Sequence, residues 1–166
     1  MPSGFLVGRF ADGSVVRLVG HGTLMESPAF AAAVEAVFDK GTVVFDASGC
    51  TYLDSTFLGC LVGIFKSCLQ VSKRRFVIAA PPDVRRRLFS TSSLDTYFDF
   101  SDACPEILGD MEEIATAKPE RAVLGLHIMR CHDRLATFGG SKAADLIRRL
   151  WGRVPRGPLP PIWRSQ

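Results

Sequence analysis

No stretch of this 166-residue chain approaches the roughly 20 consecutive apolar residues that a membrane-spanning helix requires. The opening "MPSGFLVGRF" also lacks the charged segment and apolar core of a secretory signal, so the expected compartment is the cytoplasm and no transmembrane segment is expected. Its five cysteines, at 50, 60, 68, 104 and 131, are odd in number and form no C-x-x-C pair. That argues against a zinc knuckle and against a closed disulfide framework. Three of them sit in apolar surroundings and read as small core residues. Catalytic signatures are missing as well. "SGCTYLDSTFLG" holds no G-x-S-x-G elbow, "GGSKA" lacks the spacing of a phosphate-binding loop, and "CHDRLATFGG" places no arginine five residues beyond Cys131. No catalytic residue, cofactor site or metal site is therefore expected. His127, Cys131 and His132 lie close together, but they are too few for a metal centre and read as packing residues.

What the chain does have is a composition of 47% hydrophobic and 22% charged residues, that of a globular protein. Its length suits one domain with an appendage. The net charge of +3 is unevenly spread: residues 117–166 carry ten Lys or Arg and three acids, against ten bases and fourteen acids before them. A basic extension on an acidic body implies two parts, divided at residues 1–116 and 117–166, near Lys118-Pro119.

Along the body, two β-rich runs are joined by "ADGS", a hairpin signal in which Asp-Gly would take the tight turn. "SPAFAAAVEAVFDKG" predicts a helix with Ser27 as N-cap, Pro28 at the first position and Gly41 past the end. "TVVFDAS" and "RRFVIAA" predict buried strands. "PPDVRRRLFSTSS" predicts a short helix whose Arg85, Arg86 and Arg87 read as a solvated face. "DTYFDF" predicts a weaker strand, and "ACPEILGDMEEIATA" a last helix of the body. The order predicts an α/β fold with a mixed, mostly parallel sheet covered by helices.

Between the strand "GTVVFDASGC" and the amphipathic helix "FLGCLVGIFKSCLQ" stands "TYLDST", which places Asp54, Ser55 and Thr56 at a helix N-terminus. The whole stretch "VVFDASGCTYLDSTFLGCLVGIFK" resembles the STAS domain, named for sulphate transporters and anti-sigma factor antagonists, and is most similar to the bacterial anti-sigma factor antagonists. The family pattern is D-x-S-G-x-x-x-x-D-S-S/T-G-L-G, and "APPDVRRRLFSTSSLDTYFDF" is similar to a later family segment. The resemblance covers residues 5 to about 116. It implies a STAS-like fold and a non-catalytic switch in which Ser55 is the phosphoacceptor. It also implies partners: an anti-sigma factor that is a serine kinase, and a serine phosphatase. Asp54, Ser55, Thr56 and Phe57 would then form the partner-binding surface. Phe57 stands where the family has glycine, either folded into the hydrophobic layer or anchoring that surface. Asp46 is expected to orient the motif loop by accepting backbone hydrogen bonds. A hydroxyl at a helix N-terminus would be accessible, and the free N–H groups there can bind an installed phosphate. A second implication of the resemblance is an accessory subunit of a membrane transporter, in which the serine need not be modified.

In the extension, "PERAVLGLHIMRCHDRLATF" carries apolar Val123, Leu124, Ile128, Cys131 and Leu135 at helical spacing. After a break at Gly139-Gly140, "SKAADLIRRLWGRV" predicts a second helix, giving a helical hairpin. Its apolar stripe needs the body, a second copy in a homo-oligomer, or another protein to cover it. Arg148, Arg149 and Arg153 around Trp151 also allow a membrane-surface helix. "PRGPLPPIWRSQ" reads as an extended tail. Direct nucleic-acid binding is not expected, because bases are not interleaved with exposed aromatics. A scaffold assembled through the tail is a further alternative.

Overall fold

The structure is a computed structural model describing residues 4–38, 41–71, 74–90, 94–114 and 120–137. Two strands, β1 (Gly4–Phe10) and β2 (Gly13–Gly22), pair antiparallel with Phe10 opposite Gly13. The expected hairpin is present, but its two turn residues are Ala11 and Asp12. Gly13 begins β2 and serves another purpose: a Cβ there would lie 1.9 Å from the Thr42 carbonyl oxygen of the neighbouring strand. Only glycine allows that backbone approach.

Helix α1 (Ser27–Val37) leads into β3 (Thr42–Asp46), which lies parallel to β2. Gly41, at φ +106°, makes the turn between them. A short strand, β4 (Cys50–Leu53), pairs parallel with the end of β2 and precedes helix α2 (Ser55–Gln70). Then come β5 (Phe76–Ala79), α3 (Pro82–Phe89), a 3-10 turn at Leu94–Thr96, β6 (Phe100–Ser101), β7 (Leu108–Ile114) and α4 (Arg121–Thr137). The sheet order is β6-β5-β3-β2-β1-β7, with β4 attached to β2. The β2/β3, β2/β4, β3/β5 and β5/β6 pairs are parallel, and β1 pairs antiparallel with both neighbours. The mixed, mostly parallel α/β architecture is the one that the element order predicts.

Four of the local expectations need correction. Ser27 is the first residue of α1 rather than its cap; Glu26 precedes it, and its carboxylate accepts from the Thr23 N–H at 2.9 Å. Residues 50–53 form β4 where a loop was expected, because the end of β2 offers free ladder groups. "DTYFDF" begins in the 3-10 turn and contributes only Phe100 to the two-residue β6. Within the helix expected over 103–117, residues 108–114 form β7 instead, although Ile107, Met111 and Ile114 have helical spacing. Met111 in the strand and Ile107 just before it pack on one sheet face with Val15, Val44, Val77 and Ala79, while Ile114 packs on the other. The unpaired edge of β1 supplies a ladder, and such tertiary pairing outweighs local propensity.

The main core lies between the sheet and α1 and α2. Phe5, Phe30, Phe45 and Phe57 are fully buried there, with ring centroids 4.8 Å apart for Phe30–Phe57 and 4.9 Å for Phe30–Phe45. Each such ring pair adds about 0.5–1.5 kcal/mol beyond the burial itself. Helix α4 packs on α2. The predicted second helix after Gly139-Gly140 and the proline-rich tail lie outside the described residues. Among the described residues no helix is long and apolar enough to cross a membrane.

Candidate functional site

The motif turn is organised by Asp54. Its backbone is extended (φ −85°, ψ 175°), and its side chain caps α2, Oδ1 accepting from the Phe57 N–H at 2.8 Å. Oδ2 accepts from the Leu24 N–H at 2.7 Å, which ties the loop after β2 to the start of α2. Burial pushes the Asp54 carboxyl above its ordinary pKa, with the nearby Glu26 charge adding to it, while the two N–H bonds oppose the rise. Both carboxylate oxygens are thus committed to holding the fold. Asp54 is a capping residue, 8% exposed, at the helix end where the partner-binding surface is expected.

Ser55 and Thr56 occupy the first turn of α2 directly beneath α4. Ser55 is 8% exposed and Thr56 is fully buried. The Ser55 Oγ lies 3.2 Å and the Thr56 Oγ1 3.1 Å from Nε2 of His132 on α4. Burial lowers the pKa of His132, so its imidazole is neutral near pH 7. A neutral Nε2 either donates to one of these hydroxyls or accepts from them. The accessible hydroxyl expected from a helix N-terminus is therefore covered in this conformation. Phe57 is fully buried among Phe30 and Phe45. Its place is the hydrophobic layer, which corrects the reading of Phe57 as a surface anchor: the fourth ring fills space between α1 and the sheet.

Asp46, at the other end of the motif, is engaged by different partners. Its Oδ2 accepts from Arg17 Nε at 2.6 Å, and its Oδ1 accepts from the Ser48 N–H at 3.0 Å and the Ser48 hydroxyl at 2.6 Å. Burial would raise its pKa, but the Ser48 hydroxyl, the Arg17 guanidinium and the Ser48 N–H outweigh it and hold the carboxyl below its ordinary value. Of the arginine run on α3, Arg85 pairs with Asp102 at 2.5 Å and Arg87 donates to the Cys50 carbonyl at 3.1 Å. Arg86 and Arg87 are exposed and Arg85 is half-buried, so the run is largely the solvated face that was expected, with two of its members also bonded to the fold.

The α2–α4 seam brings together residues that the motif alone does not connect. His127 Nε2 lies 2.6 Å from the Ser27 Oγ and 3.4 Å from the Cys131 Sγ. Burial, reinforced by the Arg130 and Arg134 charges, pushes the His127 pKa down to about 4. The Cys131 thiol is raised well above its ordinary value by its contact with Cys60 and by burial, so it stays protonated. A Cβ on Gly59 would lie 2.1 Å from the Cys131 carbonyl oxygen, and one on Gly63 would lie 2.0 Å from Arg134 Nη1. Ser55, Gly59, Gly63 and Ser67 recur every four residues along α2, a small-residue row that marks close helix approach. That row was the available sequence signal for the seam. Among the described residues no group of three or more His, Cys, Asp or Glu could hold a metal ion, and all five cysteines are free thiols.

A mixed sheet with helices on its main core face, and a D-S-T turn capping the helix after β4, fits a STAS-type domain. A family model described as "Mlab, STAS domain" matches residues 7–108, and the chain belongs to that family. Among solved structures, an anti-sigma factor antagonist from Mycobacterium paratuberculosis is similar at 24% identity and a TM-score of 0.49, over 60% of this chain and 85% of that one. The anti-sigma factor antagonist SpoIIAA in its unphosphorylated form is similar at 17% identity and a TM-score of 0.48, over 60% of this chain and 89% of that one. No curated protein matches the chain.

Proposed function

We propose that the chain is a protein-binding regulatory module, an anti-sigma factor antagonist that acts in the cytoplasm. Its partner, an anti-sigma factor with serine kinase activity, docks at the N-terminal end of α2 and phosphorylates Ser55, and a serine phosphatase restores the unmodified form. The observation that carries this reading is the cap: Asp54 fixes the first turn of α2 so that Ser55 begins the helix. Phosphate at that position would add about −1.5 to −2 charge beside the Asp54 carboxyl. The positive end of the α2 dipole favours such an anion, while the added charge repels an acidic partner surface.

The experiment is mass spectrometry of the full chain after incubation with a candidate kinase and ATP. Phosphate on Ser55, and at least tenfold weaker partner binding by Ser55→Asp, are expected. An unmodified Ser55 together with unchanged binding by Ser55→Asp would reject the reading. The coverage of Ser55 by His132 favours a second reading, the accessory subunit of a membrane transporter, in which the serine is a contact residue and is not modified. Co-purification with a transport ATPase, unaffected by kinase treatment, is its expected signature.

A further inference from the structure

The face of α2 that begins at Ser55 is an interaction surface already filled by the chain's own C-terminal helix. We propose that α4 is a displaceable cover over this face, withholding Ser55 and Thr56 until α4 leaves, and that what takes its place is an amphipathic helix presenting small or hydrogen-bonding side chains. The proposal rests on the function above only for the identity of that partner; the cover itself stands on the geometry of α2 and α4.

Three observations carry it. The two helices approach so closely at Gly59 that a single added methyl would meet the Cys131 backbone, so the seam is built to admit a helix. Beside the buried Cys131 and Leu135, polar pairs close it: His132 meets Ser55 and Thr56 across the seam, and His127 meets Ser27 at the start of α1. Such bonds can be exchanged for those of water or of a partner when α4 lifts, because they are replaced rather than lost. Among the described apolar residues of α4, Cys131 and Leu135 are deeply buried, while Val123 and Leu126 point outward at 54% and 48% exposure. The segment matched by the family spans residues 7–108 and ends ahead of α4, and Phe30, Phe45 and Phe57 lie within it. Lifting α4 leaves those rings packed between α1, α2 and the sheet, while Cys131 and Leu135, which join the edge of the same core, are released. The face it uncovers, with Ser55, Gly59, Gly63 and Ser67 in a row, is a shallow groove suited to another helix.

The test uses the full chain carrying Gly59→Ala. Alanine is the better helix former, so α2 itself is not weakened, while the new methyl collides with the α4 backbone. Native-state alkylation with iodoacetamide, mapped by peptide mass spectrometry, reads the result. Cys131 is expected to label at least tenfold faster in Gly59→Ala than in the wild type, with Cys50, buried in the core, protected in both. Equal protection of Cys131 in the two proteins would overturn the proposal. Should Cys50 label together with Cys131, the variant has unfolded, and hydrogen exchange of the wild-type chain decides. There α4 amides are expected to exchange at least tenfold faster than those of β3, and equal protection overturns the cover. Neither readout needs a kinase or a partner. Lack of phosphate on Ser55 thus counts against the proposed function alone, and an immobile α4 against the cover alone.

Discussion

On its inner side α2 meets the sheet and α1 through Phe57, Leu61 and their aromatic neighbours; on its outer side it meets α4 through serine, threonine, glycine and histidine. The inner contact is dry and apolar, and each fully buried large side chain there stabilises the fold by about 1.5–3 kcal/mol. The outer contact consists of hydrogen bonds worth about 0.5–1.5 kcal/mol each, plus the burial of one leucine and one cysteine. One helix thus serves as a fixed wall of the core on one side and as an exchangeable seat on the other. The motif of Asp54, Ser55 and Thr56 lies at the junction of the two.

The largest effect should come from the inner side. Phe57→Ala is expected to cost about 3–5 kcal/mol, measured as a lower urea midpoint, because the other rings cannot close the space left behind. Phe57→Gly, which restores the residue usual in the family, should cost at least as much. A loss under 1 kcal/mol would show that Phe57 is not the core residue the ring distances describe.

Asp54→Ala comes next, at about 1–3 kcal/mol, since it removes the α2 cap and leaves the Leu24 N–H without its acceptor. Asp54→Asn should recover part of that loss in the same urea titration, because its amide oxygen can still accept one of the two bonds. Identical behaviour of the two variants would argue against capping.

Acid should loosen the outer side before the inner one. His127 has a folded pKa of about 4 against an ordinary 6.5, so the state with α4 lifted binds the extra proton. Its contribution to stability is complete above pH 6.5 and is lost progressively as the pH falls toward 4. Between pH 7 and 5.5 the expected loss is about 1 kcal/mol, and His127→Gln should abolish that part of the pH dependence in urea titrations. His132, also lowered by burial, acts in the same direction.

The smallest effect is expected at Gly63, where an added Cβ meets the end of the Arg134 side chain rather than backbone. Arg134 can swing aside, so Gly63→Ala should change stability by less than about 1 kcal/mol, toward greater stability if the gain in helix propensity prevails. A loss as large as that of Gly59→Ala would mean that Arg134 is held as rigidly as the α4 backbone.

Strands β1, β2, β3 and β5 were legible because central strands buried on both faces read as apolar, β-branched runs such as "TVVFD" and "FVIA". Helices α1, α2 and α4 declared themselves by apolar spacing. β4 and β7 did not, since each is held mainly by a ladder that a distant strand offers, and Met111 among glutamates looks helical without it. At the site, the position of Asp54, Ser55 and Thr56 at a helix start was readable from the strand-turn-helix pattern. The burial of Phe57 and the coverage of Ser55 were not.

The amino-acid order by itself determined the sheet-forming runs, the capped helix and the hydroxyl placed at its beginning, because these depend on neighbours within a few residues. Whether that hydroxyl faces water or an imidazole was decided only by tertiary structure. Ser55 and His132 are 77 residues apart, and nothing local to either encodes their meeting. What joins them is the fit of the α4 backbone against Gly59 of α2, a matter of shape that exists only once the chain has folded.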